Sequence, residues 1–287
     1  MRWRGRRTSE NIENRRSVRG AGVAGGGIGT LVIIGLMLYM SGGDPQVLLD
    51  SGILDQAGQG PVVDGPSSPQ ETEQTEFVSV VLADTEDVWN ALFQQQGRDY
   101  VEPKLVIFRG IVQSACGRAS AAVGPFYCPA DQDVYLDLQF FDELHQRFGA
   151  AGDFAQAYVI AHEVGHHVQK LIGMSDEVHN EQQRLDETGA NRLSVRLELQ
   201  ADYLAGVWAH HIQKTKQVLD PGDIEEAMNA ANAIGDDRLQ RQAQGTVVPD
   251  SFTHGTSAQR IRWFKNGFES GDFSDANQLF ELAYERL

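Results

Sequence analysis

Two histidines with a glutamate beside the first, His162-Glu163-Val164-Gly165-His166, lie inside a stretch whose apolar residues recur at steps of three and four. Residues four apart share one face of an α-helix, with Cβ atoms about 5–6 Å apart. Two imidazoles so placed can grip one zinc ion, and the carboxylate between them can take a proton from water. A catalytic zinc needs three protein ligands and an open position, so a third donor must come from elsewhere. The long-signature arrangement would put Gly three and His six residues after His166; Gln169 and Ile172 stand there, which excludes it. Downstream, Glu198-Leu199-Gln200-Ala201-Asp202 carries two carboxylates four apart on a second predicted helix. The core stripe of that helix is Leu197, Ala201, Leu204, Ala205, Trp208 and Ile212, leaving Glu198 and Asp202 together on an adjoining strip. One of them can ligate the metal and the other can accept the free ring N–H of a ligating histidine. Taken alone, such a pair is commonly a solvated acidic face. The rival donors are His179, His210, His211 and His254, whereas His167 points about 100° further round its helix than His166.

The elements that must position these groups are legible in outline. Phe154, Ala157, Tyr158, Ala161, Gly165, Val168 and Ile172 form the core stripe of the first helix, with His162 and His166 on its flank. Gly165 should weaken that helix by about 1 kcal/mol relative to Ala, which close approach of a second backbone would explain. Residues 78–96 read as another helix, and residues 104–108 and 133–138 as strands. Between the strands lies a Gly- and Ala-rich loop holding Cys116 and Cys128, the only two cysteines.

The charge is uneven. The whole chain carries a formal −16, which argues against nucleic acid as a partner. Residues 1–19 hold seven Arg against two Glu, a local balance of about +5, so the remainder is near −21. The next 24 residues, 20–43, bear no formal charge. That length spans a bilayer, and the positive-inside rule would keep the Arg cluster cytoplasmic. The expectation is a basic cytoplasmic segment (residues 1–19) and a transmembrane anchor in the lipid bilayer (20–43). A flexible linker (44–76) and an extracytoplasmic body (77–287) would follow, in a single-pass protein of the cell membrane. In that setting a disulfide between Cys116 and Cys128 is expected, worth about 3 kcal/mol in the chain-entropy picture.

His162-Glu163-x-x-His166 followed by Glu198-x-x-x-Asp202 resembles the gluzincin, thermolysin-type arrangement of zinc peptidases. More specifically, Gly124-Pro125-Phe126-Tyr127-Cys128-Pro129, Val134-Tyr135-Leu136-Asp137, Leu197-Glu198-Leu199-Gln200-Ala201-Asp202-Tyr203, Phe252-Thr253-His254-Gly255-Thr256 and Gln259-Arg260 resemble segments of the bacterial neutral zinc metallopeptidases. The likeness covers residues 77–272 and the N-terminal segment. It implies an α+β, zincin-like domain, mostly helical with a small sheet. It also implies one Zn2+ per chain held by His162, His166 and Glu198, with Asp202 behind a ligating ring and Glu163 as general base. His254 followed six residues later by Arg260-Ile261 is similar to a His-Pro-x-x-x-x-Arg-Ile segment of membrane-embedded gluzincins, with Gly255 in place of the proline. That likeness implies oxyanion or substrate contacts for His254 or Arg260. The strand at residues 134–138 would hold an extended peptide or protein substrate by edge pairing. The expected function is zinc-dependent endopeptidase; the alternatives are a membrane-tethered zinc-binding scaffold and a zinc hydrolase of a non-peptide bond.

Overall fold

The computed structural model of the chain describes residues 1–16, 68–147 and 149–287. Its framework is a four-stranded sheet in the order β1 (Ile12–Asn14), β2 (Leu105–Phe108), β6 (Asp133–Asp137), β5 (Phe126–Cys128). The first three strands run parallel and β5 closes the sheet antiparallel. Leu105 pairs with Val134 and Phe108 with Asp137, while Phe126 pairs with Tyr135. Strand side chains alternate between the two faces. Leu105, Ile107, Val134 and Leu136 therefore enter the main core, and Val106, Phe108 and Tyr135 a smaller cluster with Cys128 and Val112 on the other face. The hairpin β3 (Ile111–Ser114) and β4 (Gly117–Ser120) forms a separate two-stranded sheet, and the Cys116–Cys128 disulfide joins it to the end of β5.

Helix α1 (Pro69–Gln95) starts on a capping box, in which Ser68 accepts from the Glu71 backbone and Glu71 accepts from the Ser68 backbone. It begins ahead of the expected order at Phe77. The remaining helices are α2 (Gln139–Gln146), α3 (Asp153–Ile172), α4 (Met174–Gln182), α5 (Glu187–Lys216), α6 (Asp223–Ala233), α7 (Asp236–Gln244), α8 (Ser257–Ser270) and the short α9 (Gln278–Glu281). The metal-motif helix α3 packs on α5 and α6, and α5 packs along α8. Glycine permits both approaches. A Cβ on Gly165 would stand 3.0 Å from the Ala201 carbonyl oxygen, and one on Gly206 or Gly267 would collide with the facing backbone of α8 or α5.

The N-terminal expectation is corrected. Among the described residues no helix is long and apolar enough to cross a membrane. The apolar stretch at residues 20–43 and the linker up to residue 67 lie outside the described residues. A single crossing would separate the Arg cluster from the body, yet residues 1–16 are built into the body. β1 is a strand of the main sheet, and Trp3 is buried edge-on against Phe77. Arg6 pairs with the buried Asp84, and Arg7 with Glu86 (3.0 Å) and Asp87 (2.7 Å). The Met1 ammonium lies 2.5 Å from Asp153 Oδ1 at the start of α3. These positive charges are met by carboxylates of the fold itself. Single-pass anchoring, with a cytoplasmic N-terminus and an extracytoplasmic body, is therefore overturned.

Candidate metal centre

Crossing α3 over α5 brings His162, His166 and Glu198 together, one ligand atom from each lying within 4.8 Å of the others. His162 Nε2 is 3.2 Å from Glu198 Oε2, and His166 Nε2 is 3.5 Å from Glu198 Oε1. The opposite ring nitrogens are both occupied. His162 Nδ1 lies 2.9 Å from Asp202 Oδ1, and His166 Nδ1 lies 2.9 Å from Gln169 Oε1. Nδ1–H donating to each oxygen leaves both Nε2 lone pairs directed at the Glu198 carboxylate. With Nε2 deprotonated on both rings, the two imidazoles and one carboxylate form a donor set that suits zinc. The residues fit the ion that the motif implies.

The supports are buried networks. Asp202 is 0 % exposed; it accepts from His162, from Tyr158 Oη (2.5 Å) and from Arg260 through Nε (2.8 Å) and Nη2 (3.0 Å). Burial would raise its pKa, but the Arg260 guanidinium and His162 hold it down to about 2. Burial likewise opposes charge on His162, yet Asp202 and Glu198 raise its pKa to about 10 on the protein's own charges. Glu163, buried beside them, is pushed up chiefly by desolvation. On the other side, Gln169 Nε2 donates to Leu197 O (2.6 Å) and Gln200 Oε1 (3.1 Å), and Gln200 Nε2 donates to Ala276 O (2.9 Å). The ring of His166 is thus tied to the turn before α9.

Arg260 departs from its expected place. With its side chain 2 % exposed, it sits behind His162, donating to Asp202 and to Tyr158 Oη (3.2 Å) instead of facing a substrate. The reason is α8, which packs Arg260 into the crossing with α5. His254 is different: its side chain is 50 % exposed, with Nδ1 3.2 Å from Asp236 Oδ1 and 3.0 Å from Thr253 Oγ1. Asp236 Oδ2 accepts the backbone N–H groups of Thr253 (2.8 Å), His254 (2.6 Å) and Gly255 (3.1 Å), so one carboxylate shapes the whole turn. Gly255 has φ +89, which a proline ring locked near −65° cannot adopt.

Asp236, Gln169 and Tyr158 were missed from sequence. Tyr158 stands four residues before His162 on the same helical strip, which is a usable signal; Asp236 offers none locally. The other histidines have structural partners. His167 is buried between Tyr127 Oη (3.1 Å) and Val101 O (2.6 Å), while His210 and His211 contact the carbonyls of Phe268 and Gly271 at the end of α8. The proposed substrate strand is also reassigned. β6 is paired on both sides, by β2 and β5, so it has no free edge; the outer strand is β5.

The family described as "Putative neutral zinc metallopeptidase" matches residues 1–279. The Escherichia coli (strain K12) protein named Uncharacterized protein YpfJ is 51% identical over 286 residues, covering 96% of this chain and 98% of its own. Uncharacterized protein Rv2575 of Mycobacterium tuberculosis (strain ATCC 25618 / H37Rv) is 42% identical over 206 residues, 68% of this chain and 69% of its own. No solved structure matches the chain significantly. By the extent of that match and by these relatives, the chain belongs to the family described as "Putative neutral zinc metallopeptidase", for which zinc is the implied metal.

Proposed function

We propose that the protein is a zinc-dependent endopeptidase, with His162, His166 and Glu198 holding one zinc ion and Glu163 as general base. The convergence of both Nε2 atoms on Glu198, each ring fixed through its Nδ1, carries the reading. Bound zinc would supply Lewis acidity, making a water acidic near neutrality and polarising the scissile carbonyl. Glu163 accepts the proton of the attacking water on its carboxylate and delivers it to the leaving amine. Its burial supports this role, because a carboxylate with a raised pKa holds the proton long enough to pass it on. Asp202 keeps the proton of His162 on Nδ1, and Gln169 does the same for His166, so both Nε2 atoms stay free for the metal. His254, doubly protonated and giving its Nδ1–H to Asp236, would keep Nε2–H for the oxygen that gains charge as the peptide is attacked.

Replacing Glu163 with Gln should leave zinc bound and abolish peptide hydrolysis. Metal analysis paired with mass-spectrometric detection of cleaved peptides tests this; cleavage by Glu163→Gln at the wild-type rate would refute the base assignment. Glu198→Ala should bind less zinc, and full retention would move the third ligand elsewhere.

A further inference from the structure

A polar cavity of about 240 Å³ opens at the carboxyl ends of the parallel strands and shares no residue with the metal centre. Arg16 lies just beyond β1, Arg109 just beyond β2, and Asp137 ends β6; Ser68 and Glu71 bring in the N-terminus of α1. Crevices at the carboxyl ends of parallel strands, faced by the positive end of a helix, are ready places for anionic groups.

The observation that points to a ligand is Arg16. Its side chain is 8 % exposed, its Nε donates to Asn14 Oδ1 (3.0 Å) and its Nη2 to Thr75 Oγ1 (3.2 Å). Among the described residues its Nη1 has no hydrogen-bond partner. The nearest carboxylate oxygen, Glu71 Oε1, is 3.9 Å away across the cavity lining, which is beyond a hydrogen bond. A buried guanidinium N–H left unpaired is expensive, and native proteins seldom leave one. Of the three carboxylates lining the cavity, Asp142 is exposed and the other two are committed elsewhere. Glu71 accepts from Ser68 N (3.0 Å) in the capping box and from Arg109, and Asp137 accepts from Gly110 N (2.7 Å) and Gln139 N (3.0 Å). Desolvation and the neighbouring Arg109 charge both lower the pKa of Arg16, so an anion entering here would relieve both.

We propose that this cavity binds the anionic group of a small molecule, a carboxylate or a phosphate, through Arg16 with Arg109 beside it. The bidentate geometry of guanidinium suits either oxyanion. Isothermal titration of the full chain with sodium phosphate and, separately, with sodium acetate separates the two sources, ionic strength being held constant with chloride. Saturable binding of either probe is expected, weakened at least tenfold by Arg16→Gln. Since that variant removes a buried side chain and can fail to fold, Arg109→Gln, nearer the surface, should cause a parallel loss. Zinc content should be unchanged in both variants, which keeps this test independent of the metal centre. No saturable heat with either probe, or equal affinity in wild type and variants, would overturn the proposal.

Discussion

Replacing Arg260 with methionine distinguishes a supporting role from direct contact with substrate. In the structure the guanidinium and Asp202 are 2 % and 0 % exposed and share two bonds, of 2.8 and 3.0 Å. Methionine fills similar space but leaves a sealed carboxylate with only His162 and Tyr158 as partners. Removing one partner of a buried ion pair costs about 3–5 kcal/mol. At about 2–4 °C per kcal/mol for a domain of this size, Tm should fall by roughly 6–20 °C. The pH dependence follows from Asp202, whose pKa in the folded state is depressed to about 2 from 3.8. A depressed carboxylate contributes stability that is complete above the unfolded pKa and is lost as pH falls through the folded one. The gap between wild type and Arg260→Met should therefore be full above pH about 4 and shrink towards pH about 2. Calorimetric melts of the metal-free proteins measure it. Adding Asp202→Asn to Arg260→Met should recover part of the loss, because a neutral amide replaces the stranded charge. If Arg260→Met melted and bound zinc like wild type while kcat fell a hundredfold, the buried-support assignment would be wrong and Arg260 would act on the substrate.

Other perturbations follow from the same geometry. Gly165→Ala should not deliver the gain of about 1 kcal/mol that helix propensity alone offers, because its Cβ would stand 3.0 Å from Ala201 O and 3.2 Å from Ala201 Cα. It should instead push α3 from α5 and weaken zinc binding; a raised Tm with unchanged zinc affinity would contradict this. Asp236→Ala removes the acceptor of three backbone N–H groups and the partner of His254, so peptide hydrolysis should fall while zinc stoichiometry stays. An unaltered rate would remove His254 from the chemistry. Asp84 is buried and shared by Arg6 and Lys216, so Asp84→Ala should loosen residues 1–16 and expose them to limited proteolysis; an unchanged digestion pattern would show that the segment is held elsewhere.

The elements that were legible are those whose signal is local. Strand β2 with its run of Leu-Val-Ile-Phe, strand β6 and helix α3 fall where periodicity places them, and Gly165 sits at a close backbone approach. The hydropathy pattern misled at the N-terminus, because it registers seven arginines beside an apolar stretch but not the carboxylates waiting on α1. Six of those arginines stand near carboxylates of the fold or of their own strand, as Arg15 does with Glu13 (2.7 Å).

By itself, the amino-acid order determined that His162, Glu163 and His166 share one helical turn, and that Glu198 and Asp202 share another, since a spacing of four is a property of any α-helix. Tertiary packing decided which carboxylate faces Nε2 and which faces Nδ1, why Arg260 lies behind the ring, and how Asp236 reaches His254. It also decided that residues 1–16 belong to the body. Those contacts join residues from 18 to 78 positions apart. Their geometry depends on how closely backbones can approach and what must be buried, neither of which is written in any short stretch of chain.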